Sequence, residues 1–144
     1  MKRFERVNAK EYLKQYDNIC RRIAIQEREI EHLEDMATSV KSGIGDGMPR
    51  SNPGNVTERI IVALATAKAD ARQLRLRAVE KRNEIVKTIN KVQPAELSQL
   101  LYDKYIERWQ WQEVADDIGY SLDHTKGYLH GKALAAVDDI INTP

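Results

Sequence analysis

Two runs of apolar residues at heptad spacing, with steps of three, four or seven positions, constrain the fold of this 144-residue chain more than any other feature. The first run, in which Gln26 fills one slot, consists of Tyr12, Tyr16, Ile19, Ile23, Ile30, Leu33 and Ala37. The second run consists of Ile60, Leu64, Ala67, Ala71, Leu74, Ala78, Ile85 and Val92. This spacing lines apolar side chains along one helix face. We therefore predict an all-α fold with two long helices, over residues 8–41 and 56–92.

The ends of both helices carry recognisable signals. Asn8 is a candidate N-cap with Glu11 at the third helical position, and Asn55 or Thr57 is a candidate N-cap of the second helix. Residues 42–55 contain four glycines and two prolines, which predicts a loop. We do not interpret this loop as a phosphate-binding loop, since no strand is predicted before it and no Gly-Lys-Ser/Thr sequence follows it.

The two helices can bury their apolar seams in two ways. They can fold back on each other as an antiparallel hairpin, or the seams can pair between chains. Because a two-helix hairpin has little core of its own, we expect a homo-oligomer formed through the long helices. On this interpretation residues 1–93 form a helical arm and residues 94–144 a separate small domain.

Composition points to a cytoplasmic protein. The single cysteine, Cys20, cannot form an internal disulfide, and its apolar neighbours at helical spacing predict a buried packing role in a reducing compartment. No apolar stretch approaches the roughly 20 residues of a membrane span, and the first residues lack the apolar core of a signal peptide. We expect no membrane association.

The net charge of +1 conceals an uneven distribution. Residues 1–93 hold 19 Lys and Arg against 13 Asp and Glu, whereas residues 94–144 hold 4 against 9. The arm is therefore basic and the tail acidic. Basic side chains of the second helix are interspersed with Asp70, Glu80 and Glu84, so we favour a solvated face over a phosphate-contacting surface.

The tail contains the spacing of a helix-turn-helix. Pro94 ends the arm and suits the start of a new amphipathic helix that ends near Arg108. In the following segment Ala115 is small enough for a close helix crossing, Gly119 permits a tight turn with positive φ, and Ser121 can cap the next helix. The side chains expected to point inward around this turn are Val114, Ile118, Tyr120, Thr125, Tyr128 and Leu129.

The helix after the turn is the candidate DNA-reading element. Ser121 caps it, and the positions expected to face outward are Leu122, Asp123, His124, Lys126, Gly127 and His130. The start of such a helix reaches base edges in the major groove of double-stranded DNA. Gly127 predicts a local irregularity, because glycine inside a helix costs about 0.5–1 kcal/mol relative to alanine. A spacing of six between the two histidines does not suit a shared metal ion.

Residues 105–121 and 130–134 resemble the C-terminal region of phage transcriptional regulators of the ArpU and RinA kind, which is similar to the helix-turn-helix of region 4 of sigma factors. Residues 11–13 and 36–40 also resemble one group of these proteins. The resemblance implies a regulator that is encoded by a phage or prophage of Gram-positive bacteria and that activates late genes with the host RNA polymerase, in the cytoplasm of the bacterial host cell. It also implies DNA contact at the helix positions Leu122, Asp123, His124, Lys126 and Gly127.

The acidic tail leaves two routes to a partner open. Either the basic arm supplies phosphate contacts while the tail reads bases, or the tail binds a protein, with Trp109 and Trp111 as an exposed anchor. For Trp111 we favour a place in the core. A DNA-packaging protein resembling the small subunit of a terminase, and a helical interaction adaptor, are alternative functions. No catalytic arrangement or cofactor is predicted, since the pairs Asp116-Asp117 and Asp138-Asp139 point to different sides of a helix.

Overall fold

The computed structural model describes residues 8–43 and 53–143, and the regular structure in these ranges is entirely helical. The helices are α1 (Ala9–Gly43), α2 (Pro53–Ile89), α3 (Ala95–Leu101), α4 (Trp111–Ile118), α5 (Leu122–His124) and α6 (His130–Ile141). A π-helical turn, Tyr102–Ile106, extends α3, and a second one, Thr125–Leu129, joins α5 to α6. The predicted all-α fold is confirmed. None of the described helices has an apolar stretch of the length that a bilayer crossing demands.

The long helices begin differently from each other. The Asn8 side chain accepts a hydrogen bond from the Lys10 backbone N–H at 2.8 Å, which confirms Asn8 as the N-cap of α1. Helix α2 already begins at Pro53, so Asn55 and Thr57 lie inside it and the prediction that one of them caps it is wrong. Proline is well suited to a first turn, since its φ is already helical and its missing N–H is not needed there. The middle of the predicted loop, residues 44–52, lies outside the described residues.

The described chain divides into two compact units. The hairpin unit comprises residues 19–43 of α1 and 53–77 of α2. Its helices run antiparallel, because Glu27 pairs with Arg75 at 3.4 Å and, further along α1, Glu34 pairs with Lys68 at 3.7 Å. Within this unit the predicted seam is buried at Leu33, Ile60, Ala67 and Ala71. In this unit the seams therefore pair within one chain.

Cys20 departs from its predicted role. It is a free thiol and only half-buried, so the expectation of a core position is wrong. It is not one of the seam positions of α1, which explains its partial exposure.

The terminal unit comprises residues 8–18, which contain the start of α1, the end of α2 from residue 78, and the remaining described residues to 143. The expected boundary at residue 93 therefore does not coincide with the division into units. The core of this unit draws on both ends of the chain and includes Leu13, Ile85, Ile89, Leu100, Leu101, Val114 and Val137. Polar contacts add to it, since the Ala9 N–H donates to Asp138 Oδ1 at 3.2 Å. Three short helices alone would bury little apolar surface, and the ends of α1 and α2 supply the rest.

Candidate nucleic-acid interface

The turn between α4 and α5 has the geometry expected from the sequence. Gly119 has a φ of 82°, and its N–H donates to the Ala115 carbonyl at 2.9 Å. Ala115 is 1% exposed, as a close helix crossing requires. The Ser121 hydroxyl accepts a hydrogen bond from the His124 N–H at 3.1 Å. The predicted functions of these three residues in the turn are confirmed.

The side chains around this turn follow the prediction only in part. Val114, Thr125 and Leu129 are buried, and Ile118 is half-buried. Tyr120 and Tyr128, which were expected to point inward, are 40% and 58% exposed, so that expectation is wrong.

The π-helical turn Thr125–Leu129 explains why Tyr128 faces outward. The His130 N–H donates to the Thr125 carbonyl five residues earlier, which widens the turn by about one residue relative to an α-helix. After Thr125, the next inward positions are therefore Leu129 and His130, and Tyr128 is turned to the surface. Gly127 lies within this turn, which confirms the predicted irregularity.

His130 is buried, and the prediction that it faces outward to contact DNA is wrong. Its side chain is 9% exposed, and its Nε2 lies 2.6 Å from the Tyr105 hydroxyl. The Trp111 ring meets the imidazole edge-on, with 4.6 Å between ring centroids. Burial, assisted by the charges of nearby lysines, lowers the pKa of His130 to about 4, so the ring is neutral near pH 7.

The two tryptophans do not form an exposed pair. Trp109 and Trp111 are both half-buried and pack against the core of the terminal unit. The Lys104 Nζ lies over the Trp111 ring, 4.7 Å from its centroid. The expectation that the two tryptophans are exposed is therefore wrong, and Trp111 packs against the core, close to the place that we favoured for it.

The other predicted contact residues are all at the surface of the unit. Ser121, Leu122, Asp123, His124, Lys126 and Gly127 are all exposed at the start of the second helix of the motif. The structure thus brings six of the seven predicted site residues together and removes His130. Their contact with DNA stays a prediction.

Sequence reasoning missed a column of side chains spaced by four residues, which begins directly before this helix and continues along it. We call Tyr120, His124, Tyr128 and Lys132 the aromatic column. The ring centroids lie 5.3 Å apart for Tyr120 and His124 and 5.2 Å apart for His124 and Tyr128, and the Lys132 Nζ lies 5.2 Å from the Tyr128 centroid. The Tyr120 hydroxyl donates to Glu96 Oε2 at 2.9 Å. The regular spacing was visible in the sequence, but both tyrosines were assigned to the core.

Four lysines give the acidic tail a local positive surface. We call Lys10, Lys14, Lys104 and Lys126 the lysine cluster. Burial lowers the pKa of Lys104; the charge of Asp17 raises it, while Lys126 and Lys14 lower it further. The charges of Lys10, Lys104 and Lys14 also help to lower the His130 pKa, after burial. The start of α1 thus brings exposed Lys10 and Lys14 into the unit that contains the motif, together with the carboxylates of Glu11 and Asp17.

A carboxyl pair joins the π-helical turn after α3 to the end of α4. Asp103 is 5% exposed, and no N–H or hydroxyl donor of the described residues reaches its Oδ2. Burial, followed by a hydrogen bond with Asp117 and the charge of that residue, raises the pKa of Asp103 to about 7. Hydrogen bonds from Asp103 and Gln99 lower the pKa of Asp117. A protonated Asp103 that donates to ionised Asp117 fits this arrangement.

Comparisons of this chain with models of protein families, with curated proteins and with solved structures find no match.

Proposed function

We propose that this chain is a transcription regulator that binds double-stranded DNA by placing the exposed start of its second motif helix in the major groove. One observation carries the proposal. The helix that begins after Gly119 and Ser121 exposes the side chains of its first residues, from Ser121 to His124 and at Lys126, in the same unit as the lysine cluster. A helix presented in this way fits the groove, and its first residues reach base edges.

Electrostatics supports the same surface. The tail alone is acidic and would repel a duplex, but Lys10 and Lys14 of α1 belong to the terminal unit together with Lys126. Three exposed lysines that contact phosphates release condensed counterions, so log K should fall with log salt at a slope of about −3. This is the first of the two routes that the sequence left open.

The resemblance to phage late-gene regulators supports a more specific proposal. The protein activates transcription together with host RNA polymerase and self-associates through its long helices. Exposed apolar side chains on α2 of the hairpin unit, Ile61, Val62 and Leu76, are 57%, 65% and 55% exposed and support the self-association.

Selection from a random duplex library by the full-length protein, followed by fluorescence anisotropy against salt, tests DNA binding. We expect a selected site whose affinity falls strongly when Lys10, Lys14 and Lys126 are all replaced by alanine. A matched variant, in which exposed Lys68, Lys87 and Lys91 are replaced, has the same net charge and should lose much less affinity.

Three outcomes would contradict the proposal. Equal losses in the two variants would show that the lysine cluster is not the contact surface. The absence of selective duplex binding at low salt would overturn DNA reading and favour an adaptor. A DNA-binding ring oligomer with no effect on transcription by the host polymerase would favour a packaging protein.

A further inference from the structure

We propose that the aromatic column reads thymine-containing duplex DNA through its ring edges, with Tyr128 as the residue that determines this preference. The inference rests on the proposed function and adds to it a ligand chemistry and three residues, Tyr120, Tyr128 and Lys132, that the sequence did not assign to the interface. All four members of the column lie in the terminal unit, on or directly before the second motif helix.

Tyr128 presents its ring edge because the side chains one turn before and one turn after it lie over its ring. His124 lies between Tyr120 and Tyr128, with its ring planes inclined to theirs by 38° and 27°. Lys132 covers Tyr128 from the other side, with its Nζ 5.2 Å from the ring centroid. Single-stranded nucleic acids are bound by aromatic rings whose faces are open to the bases. This column therefore suits a duplex groove, where only the edges of stacked bases are presented.

The ring edges of the column are suited to contact one particular group in the major groove. Ring edges are apolar C–H surfaces, and the Tyr120 hydroxyl is already bound to Glu96. The C5-methyl group of thymine is the apolar feature that the major groove displays. Tyr128 is 58% exposed and Tyr120 is 40% exposed, so of the two tyrosines Tyr128 is better placed to meet such a methyl group with its edge.

The length and charge of the column fit a short stretch of duplex. From His124 to Lys132 the helix rises about 12 Å, since each residue adds about 1.5 Å. That length corresponds to three or four base pairs at roughly 3.4 Å each. Lys132 stands at the far end, where an ammonium group can approach a phosphate, and Lys126 adds a second exposed positive charge. Exposed Asp123 is the only negative side chain from Ser121 to Lys132.

The test uses full-length protein, the duplex selected above, the same duplex with each thymine replaced in turn by uracil, and its separated strands. Wild type should bind the duplex at least about tenfold more tightly than either strand. Loss of one contacted methyl group should weaken it about fourfold. Tyr128→Ala should bind the thymine and uracil duplexes equally, whereas Tyr128→Phe, which keeps the ring edge, should retain the difference.

Outcomes separate this inference from the function on which it rests. If wild type binds no selected duplex, the proposed function fails. If it binds one, but Tyr128→Ala responds to uracil as wild type does, only the inference fails. Equal affinity for single strands would likewise overturn the edge contact. Because Tyr128 is largely exposed, its variants should fold, and their thermal unfolding provides the check.

Discussion

The Tyr105 hydroxyl and the His130 Nε2 lie 2.6 Å apart inside the core of the terminal unit, and both side chains are buried. This hydrogen bond joins the π-helical turn that follows α3 to the first residue of α6. Both partners come from turns with i to i+5 hydrogen bonds, since the Glu107 N–H donates to the Tyr102 carbonyl just as the His130 N–H donates to that of Thr125. The orientation of the motif therefore depends on a buried polar contact.

Replacing Tyr105 by phenylalanine should destabilise the protein by about 1–3 kcal/mol, because it leaves a buried imidazole nitrogen without its partner. Denaturant unfolding measures the change. The matched control is Tyr128→Phe, which removes a hydroxyl from an exposed ring and should change the free energy of unfolding by less than about 0.5 kcal/mol. Equal small effects of the two variants would contradict a structural function of the Tyr105 hydroxyl.

Stability should depend on pH through His130. Its pKa in the folded protein is about 4, below the ordinary 6.5, so the folded state favours the neutral ring. The stability that this preference contributes is fully present above pH 6.5. It is lost as the pH falls from 6.5 to 4, because the unfolded state takes up the proton at a higher pH than the folded state does. Replacing His130 by glutamine removes the titration. The difference in free energy of unfolding between wild type and His130→Gln should therefore fall by about 2–3 kcal/mol over this range. A difference that does not change with pH would refute this prediction.

Asp103 should make stability depend on pH in the direction opposite to His130. Its pKa in the folded protein is about 7, above the ordinary 3.8, so the folded state retains a proton that the unfolded state has lost. Stability falls as the pH rises from 3.8 to 7, and the cost persists above pH 7.

Asp103→Asn supplies a neutral donor to Asp117 and should stabilise the protein at pH 8 by about 1–2 kcal/mol, with almost no gain at pH 4. Thermal unfolding at both pH values measures it. The exposed neighbour Asp116, replaced by asparagine, should show no such pH dependence. A stabilisation of equal size at pH 4 and pH 8 would show that ionisation of Asp103 is not its cause.

Two glycines of the motif should respond to alanine with opposite signs. Gly119 has a φ of 82°, which an alanine adopts only at a cost, so Gly119→Ala should destabilise by about 1–2 kcal/mol. Gly127 has helical backbone and open space around a new Cβ, so Gly127→Ala should stabilise by about 0.5–1 kcal/mol. A Cβ at either position meets nothing within 4 Å, so the contrast isolates the backbone. Unfolding midpoints that shift in the same direction would contradict this account.

The sequence by itself determined the elements of this protein. Apolar spacing predicts α1 and α2, because a helix repeats about every 3.6 residues whatever its partner. The positions of Ala115, Gly119 and Ser121 predict the tight turn, because backbone sterics and capping are local properties. Each of these predictions depends on residues only a few positions apart.

Tertiary structure alone decided which faces are covered. Leu13 lies outside the predicted seam and yet is fully buried, because the core of the terminal unit encloses the start of α1. The same packing brings Lys10 and Lys14 into the unit of the motif. The same packing accommodates the π-helical turn Thr125–Leu129, which leaves His130 buried and Tyr128 exposed. A one-residue change of helical phase costs little locally, so long-range burial decides it, and sequence periodicity does not.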